Sequence, residues 1–107
     1  VEAFEVGEVV IIERKGRPWR QDTIATIKDE LLMTERGHWY EVATRARIDS
    51  GDDRPKDFLV KCTPERLAYL EVRAFLKAAP TLNVEKLSLS TSVELARLAK
   101  IFLEKLT

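Results

Sequence analysis

The sequence predicts an α+β fold, a small five-stranded antiparallel β-barrel followed by a C-terminal helical hairpin. Three observations carry that expectation. Glycine and proline punctuate the first half at Gly7, Gly16, Pro18, Gly37, Gly51 and Pro55, with short β-branched or aromatic runs between them. From Thr63-Pro64-Glu65 onward the apolar period lengthens from two residues to the helical repeat. Strands this short and this numerous hide their edges most economically by closing on themselves, which also gives each apolar face a partner.

The elements follow in order. Val9-Val10-Ile11-Ile12 is a β-branched run too short for a free-standing helix, and it predicts the first strand. Arg14-Lys15-Gly16-Arg17-Pro18 is expected to turn the chain, because glycine supplies unusual backbone angles and proline cannot donate to a central ladder. Thr23-Ile24-Ala25-Thr26-Ile27 predicts the second strand and Leu31-Leu32-Met33-Thr34 the third. Glu35-Arg36-Gly37-His38 then turns into Trp39-Tyr40-Glu41-Val42, the fourth. Phe58-Leu59-Val60-Lys61-Cys62 is the fifth, after a polar loop from Asp49 to Pro55.

Thr63 is a good N-cap, Pro64 suits the first helical position and Glu65 complements the positive helix start, so a helix should run from Pro64 to about Ala79. Pro80 cannot continue it. Its apolar residues cover more than half the wheel, which predicts contact on two sides, with the barrel and with the last helix. Asn83 to Leu87 is compatible with a short helical turn. The last helix is expected to start near Ser90-Thr91-Ser92, with Thr91 and Glu94 spaced as a capping box. Leu95, Leu98, Ala99, Phe102, Leu103 and Leu106 form its apolar stripe, while Ile101 falls on the charged side. The expected organisation is a barrel over residues 1–63 and a helical hairpin over 64–107, folding as one cooperative unit because neither half buries a sufficient core alone.

Composition narrows the function classes. Of 107 residues, 45% are hydrophobic and 34% charged, a globular balance rather than a disordered one. Eighteen basic residues offset eighteen acidic ones, so no global field draws the chain to nucleic acid or an anionic membrane. A single cysteine, Cys62, excludes an internal disulfide and a Cys-based zinc site. A single histidine, His38, excludes His-Glu-x-x-His chemistry. No apolar run approaches the ~20 residues needed to span a bilayer, and no signal-peptide pattern follows Val1, so a cytoplasmic location is expected. There is no glycine-rich phosphate loop and no nucleophile paired with a base. The expectation is a protein without enzymatic activity and without a cofactor.

Phe4-Glu5-Val6-Gly7-Glu8-Val9-Val10, the basic turn and Thr23 to Ile27 together resemble the opening of small β-barrels of the Src-homology, Tudor and KOW kind. There an apolar residue, glycine and an acidic residue precede a valine-rich first strand. Trp39-Tyr40 and the step into Thr63-Pro64-Glu65 also resemble uncharacterised small barrel proteins of bacteriophages and mobile elements. The resemblance implies the fold over about residues 4–63. Such barrels serve many unrelated functions.

Two clusters are candidate binding residues. Arg14, Lys15, Arg17, Trp19 and Arg20 could contact phosphates while the indole stacks on a base. The bland reading is a solvated hairpin whose Trp19 folds back over the barrel mouth. Arg36, Trp39 and Tyr40 would extend the same face, with strand alternation sending one of the two aromatics inward and the other outward. Residues 1–63 hold eleven basic and thirteen acidic side chains, which argues against a dedicated nucleic-acid barrel. Asp49, Asp52, Asp53 and Asp57 lack the ligand spacing of a calcium loop and are read as solvated, and Cys62 as a small packed hydrophobe. The leading expectation is an interaction module, an accessory protein of a phage or mobile element, that binds another protein. The alternative is a nucleic-acid-binding barrel using the basic-aromatic turn. A homodimer centred on Ile101 is a further expectation.

Overall fold

The computed structural model describes residues 3–51 and 56–106. Five antiparallel strands form one strongly curled sheet, a half-barrel. They are β1 (Val9–Arg14), β2 (Arg17–Lys28), β3 (Leu31–Thr34), β4 (Trp39–Glu41) and β5 (Asp57–Lys61), in the spatial order β4-β3-β2-β1-β5. Two helices follow, α1 (Pro64–Ala78) and α2 (Leu89–Leu106), with short 3₁₀ turns at Ala79–Thr81 and Val84–Lys86 between them. This is the α+β order of elements that the change of period predicts.

The curl originates in β2. Its first half pairs with β1 as far as Thr23, and its second half pairs with β3 from Ile24 onward. Each half carries a register shift. Ile12 faces Arg20 but Glu13 faces Pro18, which leaves Trp19 as an extra residue. Ile24 faces Thr34 but Thr26 faces Met33, which leaves Ala25. A bulge bends the strand and increases its twist, so two bulges in one long strand carry it from one half of the sheet into the other. Backbone bonds at residues 45–48 then tie the outer strands together. Glu41 N–H donates to Ala46 O at 2.9 Å and Arg47 N–H to Asp57 O at 2.9 Å, while Leu59 N–H donates to Arg45 O at 2.8 Å.

The first turn is tighter than its composition predicts. It is confined to Lys15 and Gly16, which both have positive φ, 56° and 75°. A two-residue turn with both φ positive matches the right-handed twist of the flanking strands, and glycine adopts it without cost. Pro18, Trp19 and Arg20 therefore lie in β2 rather than in the turn, with proline tolerated where the bulge interrupts the ladder. β5 begins and ends one residue earlier than expected, with Asp57 as its first residue.

Alternation along the strands brings Val10, Ile12, Ile24, Leu32, Tyr40 and Leu59 into one buried cluster, with Phe4, Trp19 and Val42 packed against it. Ile11 points to the opposite face and is fully buried as well. Glu13 shares that face of β1, and Arg66 of α1 pairs with it at 3.6 Å, so α1 lies over this side of the sheet. Arg66 also donates to Lys61 O at 2.8 Å, and Arg73 donates to Pro18 O at 3.0 Å and to Trp19 O.

Local signals set the helix ends. Thr63 Oγ1 accepts from Arg66 N–H at 3.2 Å, the expected cap. Helix α1 stops at Ala78, two residues before Pro80. Helix α2 starts at Leu89, three residues earlier than the Thr91 cap predicts. Ser88 caps it instead, its Oγ accepting from Thr91 N–H at 3.1 Å. The chain divides into two compact units, Val1–Leu76 and Lys77–Thr107. Among the described residues no helix is long and apolar enough to cross a membrane.

Candidate functional site

The basic-aromatic turn and the Trp39 cluster, which lie far apart in sequence, are joined by the aspartates expected to be solvated. Arg14 Nε and Nη2 donate to the two carboxylate oxygens of Asp57, at 2.8 and 3.2 Å. Arg47 Nη1 reaches the same carboxylate at 3.5 Å, and its Nε donates to Asp49 at 2.7 Å. Asp49 accepts in turn from the backbone N–H of Trp39 at 3.2 Å, with His38 Nδ1 3.8 Å away. One chain of contacts thus runs from Trp19 through Arg14, Asp57, Arg47 and Asp49 to Trp39.

Asp57 is 3% exposed, and the hydrogen bonds from Arg14, outweighing its burial, hold its carboxyl below the ordinary range. Burial works against ionisation of Asp49, but the hydrogen bonds from Arg47 and from Trp39 N–H prevail and lower its pKa too. The solvated-loop expectation is therefore corrected for Asp57, which is buried, whereas Asp49 stays exposed while bonded to Arg47 and to Trp39 N–H. Asp52 and Asp53 lie outside the described residues. Among the described residues no cluster of His, Cys, Asp or Glu could hold a metal ion.

The structure disperses the predicted binding residues of the turn. Arg14 lies 3.5 Å and Arg20 4.2 Å from the centre of the Trp19 ring. Two guanidinium groups this close to one ring centre, with the core packed against the same side chain, leave little of the indole open for a base to stack on. Trp19 itself packs against the core, as the folded-back reading has it. Lys15 and Arg17 remain exposed at the turn. Tyr40 is fully buried in the core, while Trp39, the next residue, stays half-buried on the other side, as alternation requires. Arg36 is exposed beside a separate depression lined by Gln21, Asp22, Thr23 and Glu35.

Trp39 does line a groove. Together with Leu31, Ile48, Lys28, Asp29 and Asp49 it lines a shallow, open groove of about 480 Å³. Trp39 and Leu31 are half-buried, Ile48 is 49% exposed, and the charged residues on the rim carry both signs. The groove is held in place by the backbone: Ile48 N–H donates to Trp39 O at 3.0 Å, and the Asp49 carboxylate holds the Trp39 N–H from the same side. Sequence reasoning singled out Trp39 but missed Ile48, Lys28 and Arg47. For Asp57 a signal existed. With Leu59 facing inward, period two points Asp57 inward as well, and a buried carboxylate needs a cation.

No protein-family model, curated protein or solved structure matches the chain.

Proposed function

We propose that the chain is a non-enzymatic interaction module that binds another protein, seating an apolar side chain of an extended segment against Trp39. The observation that supports this reading is the preformed groove of Trp39, Leu31 and Ile48 with its mixed-charge rim. An aromatic surface held by backbone hydrogen bonds loses little conformational freedom on binding, which favours affinity. The rim of both signs suits a polypeptide, whose own charges vary, better than a polyanion. The nucleic-acid alternative draws less support, because Arg14 and Arg20 already lie against the Trp19 ring on which a base would stack. The likeness of the strand pattern to small phage and mobile-element barrels makes an accessory role in such an element the natural setting.

Selection from a displayed random-peptide library on the purified protein tests this. The expected result is enrichment of peptides with an aromatic or large aliphatic residue, whose affinity falls at least about tenfold for Trp39→Ala and for Ile48→Asp. Ile48 is half exposed, so its variant keeps the fold and separates lost binding from lost structure. Peptides that bind both variants as well as the wild type would overturn the reading. So would an oligonucleotide that binds with steep salt dependence where no peptide does.

A further inference from the structure

Two opposite charges frame the Trp39 groove, and the register of the ladder puts them there. Lys28 lies opposite Leu31, and Leu31 opposite Glu41, so the three residues form one row across β2, β3 and β4. Directly opposite residues share a face of the sheet and successive ones alternate. Met33 and Trp39, the next opposite pair, therefore lie on that same face, while Leu32 and Tyr40 turn into the core. Leu31 is thus flanked by a cation on one side and a carboxylate on the other. Lys28 is exposed and Glu41 half-buried, and neither side chain makes a hydrogen bond or ion pair among the described residues. Asp49 is engaged instead with Arg47 and with Trp39 N–H, at 2.7 and 3.2 Å.

Given a protein segment seated against Trp39, we infer that it carries one acidic and one basic residue on opposite sides of its apolar anchor, the acid meeting Lys28 and the base Glu41. Neighbouring strands lie about 4.8 Å apart, so the two framing residues are roughly 10 Å apart at the backbone. An extended segment crossing the strands over Leu31 advances about 3.3 Å per residue, which sets its acid and its base about three residues apart. A segment with two like charges meets repulsion at one end, whichever way it runs. Asp29 lines the same end of the groove as Lys28, one residue beyond the ladder, and its carboxylate opposes the attraction for an acid there.

Random-peptide selection on the full chain and on two charge-reversed variants tests this. The wild type should enrich peptides with an acidic and a basic residue flanking the anchor. Lys28→Glu should enrich peptides with two basic residues, and Glu41→Lys peptides with two acidic ones. Position 28 is exposed, so its variant keeps the fold. For a peptide selected on the wild type, Lys28→Glu should lower affinity about fivefold at low salt, and less at high salt. Replacing the acid of that peptide by lysine should restore its affinity for the variant. Asp29→Asn should strengthen binding of the original peptide, and Lys15→Glu, at the other hairpin, should leave it unchanged. Peptides that need Trp39 yet carry no charge preference, or the same peptides enriched by wild type and Lys28→Glu, would overturn the inference and leave the reading of the groove standing. Peptides whose binding survives Trp39→Ala would remove both.

Discussion

Tyr40→Ala is expected to cost about 4 kcal/mol of stability and Tyr40→Phe less than about 1 kcal/mol, measured by urea unfolding at neutral pH. The ring of Tyr40 is fully buried at the centre of the cluster formed by Val10, Ile12, Ile24, Leu32 and Leu59, so truncation leaves a large cavity. Its hydroxyl is buried as well and makes no hydrogen bond among the described residues, so removing that oxygen alone gives up little. The two variants also differ from wild type in alkali. Burial raises the phenol from 10.0 to about 12 in the folded protein. The unfolded chain therefore ionises first, and the stabilising contribution present below pH 10 is lost as pH rises towards 12. The loss is on the order of 2 kcal/mol. Tyr40→Phe should flatten this alkaline limb, while Tyr69 is common to both proteins and cancels. A phenylalanine variant as unstable as the alanine one, or with an unchanged alkaline limb, would refute this assignment.

Tyr40 also illustrates what was legible in the sequence. Alternation along Trp39-Tyr40 implied that one aromatic faces the core and the other the surface, because a side-chain period of two is imposed by the strand backbone whatever surrounds it. The helix cap at Thr63 and the stop before Pro80 were legible for a similar reason, since both are settled by neighbours within a few residues. The bulge at Trp19 was not. Its position depends on how β2 pairs with β1, and a composition rich in Arg, Gly and Pro read as turn throughout. Moving Trp19 and Arg20 from the turn into the strand changes their chemistry, from groups offered to a ligand to groups stacked on each other. The groove was half legible. Trp39 stood out as an aromatic, but Lys28 and Ile48 reach it only through the backbone bridges at residues 45–48 and the β2–β3 pairing. No local pattern reports such contacts.

The charge network yields the second large effect. Asp57→Ala is expected to destabilise the protein by about 3 kcal/mol at neutral pH, the lower end of what breaking a buried ion pair costs. The low end applies because Asp57 is almost wholly buried while its partners are not: the side chains of Arg14 and Arg47 are 38% and 19% exposed and can turn part of their charge to water. The substitution leaves two guanidinium groups facing each other without the carboxylate between them, and it releases the anchor of Arg14 over Trp19. The effect should depend on pH in one direction only. Hydrogen bonding from Arg14 lowers the Asp57 pKa below its ordinary 3.8, so the folded state favours the ionised form. Its contribution is complete above about pH 4 and is lost as pH falls through the lower folded value. Measured from pH 7 downward, the gap between wild type and Asp57→Ala should hold constant to about pH 4 and then close. Asp49 and Glu8 are also lowered, Asp49 mainly by its bond to Arg47 against the effect of burial and Glu8 by its bond to Lys61, so the variant keeps a smaller acid limb of its own. A gap that stays open in acid would mean that the lost stability comes from packing rather than from the ion pair. A gap below about 0.5 kcal/mol at neutral pH would mean that Arg14 and Arg47 gain nothing from Asp57 beyond what water gives them.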